Sequence, residues 1–243
     1  MLIDIHSHLN FKAFDIDYKK VIDKCLFQDV WMINIGSQYQ TSKKAIQIAQ
    51  QYEQGVFAAI GLHPIHAKDG FNKEEYEKLL GSEKIVAIGE IGLDKFRDYG
   101  LFLEEQKKVF LEQLDFAKEM NLPVIIHCRM AHQEVLDILK KREAQGVIHC
   151  FTGSWKQAKQ YLAMGFYLGI NGIIYKLNLE EIIEKAPLNR ILLETDCPYL
   201  GKEERNEPTF VKQIAKDIAR IKNISFQEVA ETTTQNAQTL FSI

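Results

Sequence analysis

Leu2-Ile3-Asp4-Ile5-His6-Ser7-His8 opens the chain: a short, β-branched apolar run closed by polar residues. Such a run reads as a strand, and strand side chains alternate, so Asp4, His6 and His8 are expected on one face. Seven runs of the same kind follow: Val30–Gly36, Val56–His63, Ile85–Glu90, Pro123–Arg129, Val147–Thr152, Gly165–Asn171 and Ile191–Pro198. Most are rich in Ile and Val and apolar on both faces, as parallel strands covered on each side must be. The segments between them carry helical periodicity; Leu103, Phe110, Leu114 and Ala117 mark one face of a long example. Strand starts about 19 to 38 residues apart fit βα units with short loops. Eight such units in 243 residues predict an α/β fold, a TIM (β/α)8 barrel, with residues 1–243 as a single domain. A doubly wound open sheet is the alternative, but eight strands in this length favour closure, and no Gly-rich fingerprint follows the first strand. Near the end, Pro208 suits the first turn of a helix with Val211, Ile214, Ala215, Ile218 and Ile221 on its apolar stripe. Ser225 and Glu228 form a capping-box pattern before a last helix carrying Val229, Ala237 and Leu240.

Composition sets the outer bounds. With 46% apolar and 26% charged residues, 14 Gly and 5 Pro, the chain is neither disordered, collagenous nor a coiled coil. A chain of this size buries roughly 70% of its extended surface, enough for a core without staples. Thirty basic against 33 acidic residues leave a net charge of −3. That argues against a broad nucleic-acid-coating surface, yet permits a nucleic-acid enzyme with a small local site. No apolar run is long enough to span a bilayer, and the N-terminal residues lack the basic and apolar regions of a signal peptide. Cys25, Cys128, Cys150 and Cys197 stand far apart with no C-x-x-C pair, so the expectation is a cytoplasmic protein with reduced thiols.

The ends of the strands are the informative places. The first closes on His6 and His8, the third on His63, the fourth on Glu90, the fifth on His127, the sixth on His149 and the eighth on Asp196. Five of the seven histidines stand there; His66 and His132 do not. In a barrel these ends converge on one rim, where such folds place their sites. One histidine at a strand end is ordinarily a hydrogen-bonded structural group, but five together with two carboxylates on one rim are hard to account for separately. Imidazoles with carboxylates suit Zn, Mn, Fe or Co better than Ca. Two such ions about 3.5–4 Å apart generate a bridging hydroxide and clamp both oxygens of a displacement. Cys128, Cys150 and Cys197 each follow a candidate ligand, and alternation is expected to turn them away, against the helices, as small apolar residues.

The same residues spell a longer pattern. D-x-H-x-H is Asp4 to His8, G-x-H-P is Gly61 to Pro64, and G-E-x-G-L-D is Gly89 to Asp94. Pro123 to Arg129 supplies P-v-x-x-H-x-R, His149 to Gly153 H-c-F-x-G, Glu194 to Leu200 E-T-D-x-P-y-L, and Arg205 to Pro208 R-N-E-P. In this order, along the whole chain, the sequence resembles the TatD-type metal-dependent hydrolases of the amidohydrolase superfamily. The resemblance implies a TIM barrel with a dinuclear site that hydrolyses phosphodiesters, typically of DNA. It implies that His6 and His8 with Glu90 and Asp196 hold one divalent ion, and that Glu90, His127 and His149 hold the other. It also puts Arg129 and His63 near the substrate phosphate.

The expectation is therefore a deoxyribonuclease working 3′ to 5′ on single-stranded ends, with Asp196, Glu90, Arg129 and His63 as catalytic residues. Two divalent ions per subunit are expected, Zn²⁺ or Mn²⁺ by ligand type with Mg²⁺ usable. The expected partner is a DNA end or another phosphate ester, with weak binding to duplex DNA away from an end; the oligomeric state is left open, with a monomer possible. His63 either protonates the leaving oxygen or contacts the phosphate. The alternative is a metal-dependent esterase, such as a D-aminoacyl-tRNA deacylase, or an amidohydrolase; a barrel that only binds is a third reading, opposed by the presence of every proposed ligand. Asp4 and Glu194 are expected to orient imidazoles or nearby basic groups. Asp94 and the N–H groups of Gly153 and Ser154 are expected to help seat the substrate. Lys95, Arg97, Lys176, Lys202 and Arg205 are read either as a local phosphate track or as solvated loop charges, and the loops at 95–100 and 200–205 depart from the family pattern.

Overall fold

Every one of the eight expected strands forms, and each pairs in parallel with its sequence neighbour. The computed structural model describes residues 1–201 and 204–243. The strands are β1 (Leu2–Ser7), β2 (Val30–Ile35), β3 (Val56–Ile60), β4 (Ile85–Asp94), β5 (Val124–Arg129), β6 (Gly146–Ile148), β7 (Tyr167–Ile170) and β8 (Ile191–Leu193), in the order β1 to β8. A bridge between Ser7 and Cys197 brings the last segment back to the first, so the sheet curls into a TIM barrel. Helices α1 (Tyr18–Phe27), α2 (Tyr39–Ala49), α3 (Lys73–Glu77), α4 (Leu103–Glu119), α5 (His132–Leu139), α6 (Trp155–Ala163) and α7 (Glu180–Lys185) alternate with the strands. Two more, α8 (Val211–Lys222) and α9 (Phe226–Phe241), end the chain. Among the described residues no helix is long and apolar enough to cross a membrane.

Alternation sorts most of the core into two clusters, beside a small third one of Leu62, Ala67 and Val109. Leu2, Val30, Met32 and Ile60 pack with residues of the surrounding helices, such as Phe110 and Leu114 of α4. Ile3, Ile5, Ile33, Ile35, Ile125 and Val147 form a separate cluster, joined by Ala237, Leu240 and Phe241 of α9. Helix α9 starts at Ser225, whose Oγ accepts the Glu228 N–H at 3.0 Å, as the capping pattern predicts.

Two irregularities break the alternation near the rim. On β1, Asp4 pairs with Met32 but Ser7 with Asn34, so one residue is extra. On β4, Gly89 pairs with Ile125 and Ile91 with Ile126, leaving Glu90 as the extra residue. Such bulges re-aim side chains where a ladder ends. Gly92 completes the second one: its φ is +140°, and a Cβ there would lie 2.1 Å from the His127 carbonyl oxygen, so only glycine fits. Strands β3, β6 and β8 stop short of His63, His149 and Asp196. The chain turns there because Cys150 and Asp196 have φ of 45° and 56°, which no strand continues.

Candidate metal centre

Glu90 is the hub. Its carboxylate is 4% exposed and meets four imidazoles: Oε1 lies 2.7 Å from His127 Nδ1, 3.4 Å from His63 Nε2 and 3.5 Å from His149 Nε2, and Oε2 lies 3.4 Å from His6 Nε2. Asp196 closes the other side, with Oδ1 3.4 Å from His8 Nε2 and 3.8 Å from His6 Nε2. The His6 and His8 Nε2 atoms are 3.2 Å apart, and the His6 and His149 rings stack with centroids 3.6 Å apart. Donor atoms within 4.8 Å of one another fall into three groups: His6, His149 and Asp196; His6, His8 and Glu90; His63, Glu90 and His127. All six residues expected to hold metal thus meet at one end of the barrel, at the base of a cavity of about 740 Å³.

Outer hydrogen bonds fix which nitrogens face inward. His8 Nδ1 donates to the Ile35 carbonyl oxygen at 3.0 Å, which leaves the lone pair of Nε2 on the cavity side. His149 Nδ1 donates to Glu194 Oε2 at 3.1 Å with the same result. Glu194 is fully buried and its Oε1 also accepts the Cys150 N–H at 2.7 Å and Asn171 Nδ2 at 2.8 Å. Inward lone pairs grouped around carboxylates repel unless a cation sits among them, and outer partners of this type are how proteins orient imidazole ligands. The donor set therefore fits a divalent metal. His63 is oriented the opposite way. Its Nδ1 accepts the Ile65 N–H at 3.2 Å, so Nε2 carries the hydrogen and points a donor into the cavity. Burial keeps that ring neutral by lowering its pKa.

The electrostatics ask for positive charge in the same place. Burial opposes ionisation of Glu90, but His63, His149 and His6 outweigh it and hold the carboxyl well below its ordinary range. Burial likewise opposes a charged His149, yet Glu194 and Glu90 push its pKa up to about 10, so a proton competes with a metal for the inward Nε2. His127 rises to about 9 against burial because Asp94 and Glu90 bracket it. His6 drops to about 4, through burial and the neighbouring His149. Asp196 is lowered despite burial by its contact with the His8 imidazole and by the nearby His149.

Other expected residues take places the sequence did not specify. Asp94 is buried; its Oδ2 contacts His127 Nε2 at 3.1 Å and its Oδ1 accepts the Phe96 N–H at 2.7 Å. Asp4 reaches no imidazole. It accepts Thr195 N–H at 2.9 Å, Thr195 Oγ1 at 2.5 Å and His6 N–H at 3.1 Å, and so ties β1 to the turn that carries Asp196. Ser154 N–H is spent on the Gln157 side chain at 2.8 Å, inside the cap of α6. Cys128 does pack on the helix side, 3.2 Å from His132 Nδ1, and Cys197 is buried. Cys128 and Cys150 both border the cavity, and at Cys150 a positive φ ends the alternation.

Arg129 is exposed at the rim and its guanidinium lies 3.6 Å from the Phe96 ring centroid. The expected phosphate track is thinner than the sequence suggests. Lys95 pairs with Glu134 at 2.6 Å, and Arg205 pairs with Asp17 at 2.6 Å and donates to the Ala13 carbonyl. Arg97 leans on Phe96, Lys176 is exposed, and Lys202 lies outside the described residues. Asn171 and Thr195 were missed as supports. A polar residue closing the seventh apolar run was the available signal for Asn171; Thr195 had none.

Known proteins share this chain's pattern. The family model for TatD related DNase matches residues 3–242. The chain is 40% identical to the metal-dependent hydrolase YabD of Bacillus subtilis, over 100% of each chain. It is 35% identical to the 3′-5′ ssDNA/RNA exonuclease TatD of Cronobacter sakazakii, covering 99% of this chain and 97% of the relative. The crystal structure of the TatD homologue YjjV from Escherichia coli superposes with a TM-score of 0.93 at 29% identity, covering 100% and 98% of the two chains.

Proposed function

The chain belongs to the TatD-related DNase family and is a metal-dependent hydrolase, and from that premise we propose that it removes nucleotides 3′ to 5′ from single-stranded DNA ends. Residues 1–243 act in this reading as one catalytic domain. The observation that carries it is the pair of imidazoles, His8 and His149, whose outward donors leave inward lone pairs beside Glu90 and Asp196. The name of the Cronobacter relative supports the substrate and polarity.

His6, His8, Glu90 and Asp196 would hold one divalent ion, and Glu90, His127 and His149 a second; this nitrogen-rich set suits Zn²⁺ or Mn²⁺, with Mg²⁺ usable. Bound ions of this kind acidify water and stabilise charge on phosphoryl oxygens. The chain's own groups do the rest. Asp196, ionised at neutral pH because its pKa is lowered, accepts the proton of the attacking water. Arg129 offers a planar fork to the phosphoryl oxygens while its other face rests on Phe96. His63 carries its hydrogen on Nε2, towards Glu90, and donates it to a phosphate oxygen or to the leaving oxygen. Aspartate at 196 is the residue to test. With Zn²⁺, Mn²⁺ or Mg²⁺, the purified protein should release mononucleotides from 3′-labelled single strands and leave a ladder from 5′-labelled ones. Chelation or Asp196→Asn should stop both. Metal-replete protein that releases no nucleotide would refute the proposal.

A further inference from the structure

Among the described residues, three large apolar side chains exposed to solvent line the cavity: Ile65, Tyr99 and Tyr199. Tyr199 is 54% exposed and Tyr99 39% exposed, and both line the cavity that ends on Glu90. They follow different strands: Tyr99 stands in the loop after β4, and Tyr199 in the loop after β8. In a barrel paired in chain order these two strands lie across from each other, so the two rings flank the mouth from opposite sides. Tyr199 leans on the His8 ring at 6.3 Å between centroids, which places it next to the His8 and Asp196 side of the centre. Arg129, on β5 next to the strand that precedes the Tyr99 loop, lines the same cavity and supplies a cation at its rim.

Exposed aromatic rings beside a catalytic cavity need a partner with flat faces. Among the described residues, Lys95 and Arg205 are taken up by Glu134 and Asp17, so the rings and Arg129 are the groups at the mouth best placed to hold a substrate. We propose that Tyr99 and Tyr199 are the specificity-determining platforms of the site: each stacks on one of the two bases flanking the scissile phosphate. This rests on the phosphodiesterase reading above and names the groups that make an unpaired end the preferred substrate. A base inside a duplex has both faces covered by its neighbours, whereas an unpaired base offers a face to a tyrosine, in any sequence. Glu90 at the centre and Arg129 at the rim then address the phosphate between the two bases.

The test compares two substrates on the metal-loaded enzyme. One is a short single-stranded DNA; the other is the same backbone with tetrahydrofuran spacers in place of the terminal nucleosides. The ratio of kcat/KM, DNA over spacer, measures what the bases contribute. In Tyr199→Ala and in Tyr99→Ala that ratio should fall by about 5- to 150-fold, the range that stacking worth ~1–3 kcal/mol converts to. Tyr199→Phe and Tyr99→Phe should keep it, because the ring and not the hydroxyl does the stacking. Both positions are exposed, and circular dichroism of the alanine variants checks the fold. Quenching of 2-aminopurine placed in turn at the terminal and at the penultimate 3′ position, read on chelator-treated protein, should be lost at one position in Tyr99→Ala and at the other in Tyr199→Ala. Alanine variants with the wild-type ratio and wild-type quenching would overturn the assignment. A wild type that hydrolyses neither substrate would instead overturn the phosphodiesterase reading on which it rests.

Discussion

Replacing Glu194 by glutamine keeps the shape of a fully buried side chain and changes only its charge and one acceptor atom. Oε1 accepts two donors, Cys150 N–H at 2.7 Å and Asn171 Nδ2 at 2.8 Å, so the carbonyl oxygen of the new amide must take that position. Its NH₂ group then falls where Oε2 now sits, 3.1 Å from His149 Nδ1. Two donors would face each other. His149 can resolve the clash only by moving its hydrogen to Nε2, the nitrogen 3.5 Å from Glu90 Oε1, and a protonated Nε2 has no lone pair for a metal. The loss is one hydrogen bond to a charged group, about 1.5–3 kcal/mol. That predicts a weakening of metal binding of about 10- to 100-fold, the range typical for removing an outer partner of a ligand histidine. Zn²⁺ affinity measured by chelator competition, on wild type and on Glu194→Gln, reads this directly. Glu194→Gln with wild-type affinity, while His149→Ala loses affinity, would show that the His149 tautomer is not set by Glu194 and would refute the reasoning.

Two further expectations concern stability. Gly92→Ala forces a side chain into a φ of +140° and places Cβ 2.1 Å from the His127 carbonyl oxygen, whereas Gly81 has nothing within 4 Å. Urea unfolding should show Gly92→Ala destabilised by at least ~2 kcal/mol, with Gly81→Ala near wild type; equal midpoints for the two variants would contradict the bulge argument. His132 is buried, its pKa lowered to about 4 by burial, and its Nε2 has no hydrogen-bond partner among the described residues. A folded pKa below the ordinary 6.5 costs nothing above pH 6.5. As the pH falls from there towards about 4, the unfolded chain takes up a proton that the folded chain refuses, and stability is lost. The wild type should therefore lose on the order of 3 kcal/mol relative to His132→Leu across that window, measured by unfolding at each pH. A difference that stays flat with pH would rule this out.

Much of the fold was legible because a parallel barrel repeats one local signal eight times. Buried strands must be apolar on both faces and helices must alternate with them, so Val, Ile and Leu runs at regular spacing carry the topology. The ligand residues were legible for a related reason: a parallel barrel gathers all its carboxyl ends at one rim, so polar residues closing apolar runs meet. What failed was simple alternation at those ends. It predicted that Asp4 would face the imidazoles and that Cys150 would turn away, and both expectations broke where the backbone bulges or adopts a positive φ. The expected phosphate track thins for a different reason, since Lys95 and Arg205 have carboxylate partners on segments distant in sequence.

The sequence by itself determined the architecture, the identity of the polar groups at the rim and their chemical type, because these follow from period, residue kind and order along the chain. Only the tertiary structure decided how those groups face one another. Glu90 reaches four imidazoles because an extra residue on β4 re-aims it, and His8 and His149 present lone pairs inward because a carbonyl from β2 and a carboxylate past β8 take their outer hydrogens. Those partners lie 27 and 45 positions away in the chain. Hydrogen-bond direction between such distant segments is a property of the closed barrel and leaves no periodic trace in the sequence.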